Sequence, residues 1–139
     1  MATRAIEEIV RGATPVLHMR RTALADTMVG DTLVSAGEKV VMWYWSANRD
    51  EQVFKDPVRF DIERENVNEM VGFGGGGSHF CLGASLARRE IQVMLDEIFK
   101  GLPDLEITGP PDRLRSPFIN GIKRMPVRIH RAVADHRAP

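Results

Sequence analysis

Apolar residues recur at helical spacing in two stretches of the chain, and both stretches are followed by residues that stop helices. The first stripe has five members: Ala2, Ile6, Ile9, Val10 and Ala13. The second stripe has six members: Ala87, Ile91, Met94, Leu95, Ile98 and Leu102. Gly12 and Pro15 predict the end of the first helix, and Gly101 is expected directly after the second. The pattern therefore predicts one helix at the start of the chain and a longer one in its second half.

Short strands are predicted between and after these helices. Five segments combine β-prone residues with flanking turn residues: 26–29, 32–34, 40–45, 105–107 and 125–130. Gly30 and Asp31 separate the first two segments and predict a hairpin. Residues 46–61 are polar and irregular, and a connection of that length in a compact domain needs something to order it. The predicted fold class is α+β.

The stretch from Gly72 to Gly83 holds the only cysteine, Cys81, and four consecutive glycines, Gly74–Gly77. Residues without a Cβ adopt positive φ easily and let a bulky group approach the backbone. Cys81 lies just before the second predicted helix, where free N–H groups and the helix dipole favour a thiolate. This combination suits axial ligation of a flat metal cofactor.

Other interpretations of this stretch stay open on the residues alone. Gly74–Ser78 has the sequence GGGGS, which is the repeat of a flexible linker, and a lone cysteine is often a small buried hydrophobe. A cysteine-nucleophile hydrolase would need His79 as the neighbouring base. A phosphate-binding P-loop is excluded because no Gly-Lys-Ser/Thr follows, and His79 with Cys81 lacks the further ligands of a zinc site.

Composition narrows the function classes further. The chain of 139 residues carries 19 basic and 19 acidic side chains, and this balance gives no support for a nucleic-acid or membrane-surface role. A single cysteine excludes an internal disulfide framework and fits a reducing compartment. The N-terminus is charged where a signal peptide is apolar, and no apolar run approaches the ~20 residues of a membrane span. We expect a cytoplasmic protein without a membrane span.

The run FGGGGSHFCLGASLARRE, Phe73–Glu90, resembles the cysteine-ligand loop of the cytochrome P-450 haem-thiolate monooxygenases. The usual phenylalanine of the family lies seven residues before the cysteine, where this chain has Gly74, and Phe73 lies eight before it. The resemblance implies that Cys81 is the proximal ligand of the haem b iron. It also implies a set of residues that contact the haem or its propionates: Phe73, Gly74, Gly75, His79, Gly83 and Arg21, with Arg20 as the fallback for Arg21.

Three further motifs of the family occur in the expected order. Glu8 and Arg11 match its Glu-x-x-Arg helix, although spacing alone favours an ordinary surface ion pair. Asn48–Asp50 and Pro57–Phe60 match the Asn-Arg-Asp and Pro-x-Arg-Phe motifs of its meander. The resemblance implies that Arg59 joins Glu8 and Arg11 in a structural network that holds the meander on the first helix and supports the cysteine loop.

The resemblance also implies the reaction. Family members activate dioxygen at the haem and insert one oxygen atom into a C–H bond, with electrons from NAD(P)H delivered by redox partners. A ferredoxin-type partner would dock on the Cys81 face. The sequences GGGG and SPFINGIK are similar to those of actinobacterial members that act on sterols or branched lipids. The side chains implied to line a hydrophobic substrate pocket are Pro15, Val16, Leu17, Phe118 and Ile119.

The extent of the resemblance leads to two hypotheses. It covers roughly Ala5–Arg128, but only the C-terminal third of a family member, whose parent fold is mainly α. The expected parts are the Glu-x-x-Arg helix, a small sheet, the meander, the cysteine loop, a long helix and a terminal β-hairpin. We expect one partial domain over residues 1–131, a disordered tail over 132–139, and no segment upstream of Met1. The chain is then a C-terminal piece of a monooxygenase, or a haem-binding or inert remnant without the distal oxygen-activating helix.

Overall fold

The computed structural model describes residues 2–129, with side chains from residue 3 onward. The described chain contains three α-helices: α1 (Ala2–Ala13), α2 (Tyr44–Ala47) and α3 (Ala84–Gly101). Single 3-10 turns occur at Val67–Glu69 and Gly77–His79. The strands are β1 (His18–Thr22), β2 (Thr27–Val29), β3 (Thr32–Val34), β4 (Lys39–Trp43), β5 (Leu105–Ile107), β6 (Asp112–Arg113), β7 (Ile122–Arg124) and β8 (Val127–Ile129). No described helix is long and apolar enough to cross a membrane.

All described sheets are antiparallel pairs of strands. The pairs are β1 with β4, β2 with β3, β5 with β8, and β6 with β7. Helices with small sheets confirm the predicted α+β class at this level. Gly30 has a φ of +58° in the β2–β3 turn, which is the conformation that a tight hairpin requires of a central residue.

The chain divides into two compact units. The first comprises the chain up to Leu82 together with Ser116–Asn120, and the second comprises Gly83–Arg115 together with the chain from Gly121 onward. The single domain over residues 1–131 stays a prediction. The tail at 132–139 lies outside the described residues.

The first unit has a small core centred on α1. Ile6 and Val10 of the predicted stripe are 5% and 3% exposed. The other buried apolar side chains of this unit belong to residues beyond the sheets: Phe54, Val67 and Met70. Because the apolar core is small, we expect the polar contacts of α1 to contribute much of the stability of this unit.

The predicted strand at residues 40–45 is wrong at its last two residues. β4 ends at Trp43, which pairs with His18 at the start of β1, and Tyr44 begins α2. Regular pairing stops beyond these two residues: Leu17 donates its N–H to the carbonyl of Phe118, and its own carbonyl accepts the Trp45 N–H at 3.2 Å. The β-prone residues Tyr44 and Trp45 form the start of α2 instead of continuing the strand. Gly101 is also the last residue of α3 rather than the residue after it.

Candidate functional site

Cys81 closes a short loop of the first unit. Its N–H donates to the Phe73 carbonyl at 3.0 Å, and the Phe80 N–H donates to the Gly77 carbonyl at 3.0 Å. At the base of the loop, the Gly74 N–H donates to the Val71 carbonyl at 2.8 Å. The thiol of Cys81 is free and exposed. The loop thus fixes the backbone of the cysteine and leaves its sulfur accessible.

The glycines give this loop its shape. Gly74, Gly76 and Gly77 have φ values of +94°, +97° and +72°, whereas Gly75 has no positive φ. A Cβ built on Gly75, Gly76 or Gly77 would have no atom within 4 Å. The loop therefore presents an open face of bare backbone, as the glycine run predicted.

Gly76 offers a sharp test of this geometry. It has φ +97° and ψ −171°, a region that is essentially restricted to glycine. We expect Gly76→Ala to destabilise the closed loop by about 1–3 kcal/mol and to speed hydrogen exchange of the Cys81 amide about tenfold or more. Gly75→Ala is the matched control and should change this rate little, since Gly75 has neither a positive φ nor a close neighbour. Equal rates in the two variants would contradict the loop geometry.

The base of the loop rests on α1. A Cβ at Gly72 would lie 2.7 Å from Val10 Cγ1 and 3.0 Å from Met70 Sδ. Val10 is buried and β-branched, so it cannot move aside easily. Gly72 thus permits close contact between the loop and the face of α1 next to Glu8 and Arg11.

Glu8 and Arg11 form a buried ion pair with bidentate geometry. Arg11 donates from Nε to Glu8 Oε2 and from Nη2 to Glu8 Oε1, both at 2.7 Å. The two residues are 0% and 1% exposed. Glu8 Oε1 also accepts the Asp61 N–H at 2.9 Å. The pair is therefore part of the core and not a surface ion pair.

The third side chain of this network is Arg64, and the assignment of Arg59 was wrong. Arg64 Nε donates to Glu8 Oε2 at 3.2 Å, and Arg64 is 7% exposed. Arg59 is exposed and contributes its backbone carbonyl, which accepts from Arg11 at 3.2 Å and from Arg64 at 2.9 Å. The chain turns between the two arginines so that only the second guanidinium points at the carboxylate.

The two guanidinium groups order the irregular connection. Besides Glu8, they donate to the carbonyl oxygens of successive parts of the connection: Asn48, Lys55, Asp56, Pro57 and Arg59. Both groups also lie over the ring of buried Phe54, at 5.2 and 5.8 Å from its centroid. Backbone carbonyls without secondary structure thus find donors here, which explains how so long a connection remains ordered.

Asn48 links this network to the cysteine loop. Its side chain is fully buried, donates to Thr14 Oγ1 at 3.0 Å and accepts the Val71 N–H at 2.8 Å. Val71 is also the residue whose carbonyl holds Gly74. Asn48 belongs to the Asn-Arg-Asp motif, but nothing in the local sequence indicates that its amide faces inward.

The network makes stability depend on pH. Burial alone would raise the pKa of Glu8, but the hydrogen bond from Arg11, the Asp61 N–H and the positive charges of Arg11 and Arg64 together lower it below its ordinary value of 4.5. A carboxylate with a lowered pKa stabilises the folded state fully above its unfolded-state pKa, and this contribution is lost as pH falls through the folded-state pKa.

We therefore expect the free energy of unfolding to fall below pH 4.5, by up to about 1.4 kcal/mol per pH unit from this one group. Denaturant titrations between pH 3 and 7 measure the slope. Glu8→Gln should remove this part of it. A variant with the wild-type slope would show that Glu8 does not titrate in this way.

The structure brings together the two segments predicted to line a substrate pocket. Val16 and Ile119 form an antiparallel β-bridge, and the Leu17 N–H donates to the Phe118 carbonyl at 2.9 Å. A depression of about 300 Å³ nearby is lined by four residues: Leu17, Trp43, Trp45 and Asn120. Only Leu17 among them is predicted from the sequence to line a pocket. No local pattern indicates the other three, because the depression forms only where residues 116–120, which we call the terminal turn, pair with the chain just before β1.

The remaining predicted residues have simpler surroundings. Arg21 is exposed and donates to the Arg20 carbonyl at 3.0 Å, and the two side chains lie on opposite faces of β1. His79 is exposed in the 3-10 turn before Cys81, and Gly83 directly precedes α3. Among the described residues no group of three or more histidine, cysteine or acidic side chains could hold a metal ion.

Comparison with known proteins identifies the family. The Cytochrome P450 family profile matches residues 1–119. The chain is 56% identical over 127 residues to a methyl-branched lipid omega-hydroxylase of Mycobacterium bovis, and 54% identical over 121 residues to a steroid C26-monooxygenase of Rhodococcus jostii. These matches cover 91% and 87% of the chain but only 29% and 26% of the relatives, so the chain spans less than a third of their length.

A solved structure supports the same relationship. A Mycobacterium marinum cytochrome P450 in complex with pseudoionone superposes with a TM-score of 0.86 and is 48% identical. The match covers 91% of this chain and 30% of that one. The sequence, the family profile and the fold agree, and the chain belongs to the cytochrome P450 family.

Proposed function

We propose that the chain is the haem-binding, C-terminal part of a monooxygenase that hydroxylates an apolar lipid, with Cys81 as the proximal ligand of the haem b iron. The observation that carries this proposal is the exposed, free thiol of Cys81 at the end of a loop whose backbone is fixed at Phe73 and bare at Gly74–Gly77.

The residues present fit this cofactor. A thiolate is a soft ligand suited to haem iron, and the open face at Gly75–Gly77 has no side chain to hinder a flat macrocycle. When bound, the haem supplies reductive activation of dioxygen, and a thiolate ligand favours cleavage of the O–O bond.

The protein side chains would hold and orient the group. Cys81 would bind the iron, and the peptide N–H that fixes it to Phe73 would keep the sulfur in place. His79 and Arg21, with Arg20 as the fallback, would donate to the propionate carboxylates. Glu8, Arg11 and Arg64, acting through Asn48 and Val71, would keep the base of the loop from shifting. Gly83 would leave room where the loop enters α3.

The relatives and the apolar side chains near β1 support a proposal for the substrate class. The names of two relatives refer to methyl-branched lipids and to steroids, and we propose a substrate of one of these classes. The side chains that would contact its hydrocarbon form what we call the substrate wall: Val16, Leu17, Phe118 and Ile119. Electrons would come from NAD(P)H through a ferredoxin-type partner on the Cys81 face.

A haemin titration of the purified chain tests the ligand assignment. We expect one haem to bind per chain, the reduced and carbon monoxide-treated complex to show a strongly red-shifted Soret band, and Cys81→Ala to lose that band. His79→Ala is the matched control in the same loop and should weaken binding without changing the band, since it leaves the iron ligand in place. Retention of the band after alkylation of Cys81 would refute the assignment.

A further inference from the structure

The C-terminal end of α1 is held by three side chains, two of which come from distant parts of the chain. A helix leaves its last carbonyls without partners inside the helix. Here the Arg11 carbonyl accepts from Thr14 Oγ1 at 2.6 Å, the Gly12 carbonyl accepts from Arg49 Nη2 at 2.7 Å, and the Ala13 carbonyl accepts from Asn120 Nδ2 at 2.6 Å. The end of α1 thus acts as an anchor for other segments.

Asn120 bonds both to the end of α1 and to the residues that follow it. Besides its side-chain bond to Ala13, its backbone N–H donates to the Pro15 carbonyl at 2.8 Å. These bonds lie at one end of the short antiparallel pairing in which Val16 faces Ile119. Chain segments separated by about a hundred residues carry a large closure entropy, and a pairing of so few residues is marginal without further support.

We propose that Asn120 is a positioning residue that clamps the terminal turn onto the end of α1 and thereby sets the place of Leu17 against Phe118. The inference rests on the proposed function in that these two residues belong to the proposed substrate wall. The clamp needs a hydrogen-bond donor at this position, because the group that it meets is the carbonyl oxygen of Ala13. Aspartate has nearly the same shape but offers only acceptors at the pH of the experiment.

Amide hydrogen exchange of the full chain, without added haem, tests the clamp. We expect Asn120→Ala and Asn120→Asp to speed exchange of the Leu17 amide about tenfold or more, and Asn120→Gln to restore part of its protection. The Val71 amide, which is held by Asn48, should exchange at the wild-type rate. Asn66→Ala is the matched control, since Asn66 Nδ2 also donates to a backbone carbonyl, that of Val53, at 2.6 Å.

Two outcomes would overturn the clamp. Asn120→Asp with wild-type protection at Leu17 would show that shape, and not the donor, matters at this position. Faster exchange of the Val71 amide by the same factor would mean that Asn120 stabilises the whole unit rather than the wall. Haem uptake measured separately on the same variants reports on the proposed function, so failure of either idea can be recognised independently.

Discussion

Glu8→Gln should lower the free energy of unfolding by about 3–5 kcal/mol, which is the typical cost of removing one partner from a buried ion pair. The change keeps the shape of the side chain but removes its charge. Arg11 and Arg64 would then remain buried without a counter-ion. Arg49 adds to this cost, because burial and the charge of Arg11 lower its pKa while Glu8 raises it.

Chemical denaturation at pH 7 measures the effect. Glu63→Gln is the matched control, because Glu63 is the residue before Arg64 but is exposed, and it should change the free energy of unfolding by no more than about 0.5 kcal/mol. A loss below about 1 kcal/mol for Glu8→Gln would put the pair in the class of surface ion pairs.

Arg64→Ala should cost about 3 kcal/mol, whereas Arg59→Ala should cost less than about 1 kcal/mol. Arg64 donates to Glu8 and to three backbone carbonyls, those of Lys55, Asp56 and Arg59, and all of these acceptors would lose a charged donor. Arg59 contributes only a carbonyl to the network, and that carbonyl survives the change to alanine.

The comparison of these two variants separates the observed network from the one that the motif suggested. Thermal or chemical unfolding of each purified variant is sufficient. If Arg59→Ala proved as damaging as Arg64→Ala, the motif arginine would be the functional partner of Glu8 and the observed geometry would be wrong.

Local patterns predicted α1 and the loop at Cys81 well. The stripe of α1 buries Ile6 and Val10 because helical spacing aligns them on one face. The loop was recognisable because consecutive glycines before a cysteine are rare, and three of the four glycines do adopt positive φ. In both cases the signal lies within a few neighbouring residues.

Features that depend on distant segments could not be predicted in the same way. Arg64 and Arg59 look alike in the sequence, and only the path of the irregular connection decides which guanidinium reaches Glu8. Asn120 meets Ala13 across 107 residues, and no local pattern reports such a contact. The end of β4 also involves a distant segment, since regular pairing with β1 stops where Leu17 bonds to Phe118.

The central claim is that Cys81 binds haem iron as a thiolate, and the most direct test is the absorption spectrum of the reduced, carbon monoxide-treated complex. Electron donation from a thiolate moves the Soret band strongly to the red, which a histidine ligand does not do. We predict this band for the wild-type chain and for Arg59→Ala, and its loss in Cys81→Ala. A band that is missing from the wild-type chain, or unchanged without Cys81, would contradict the account.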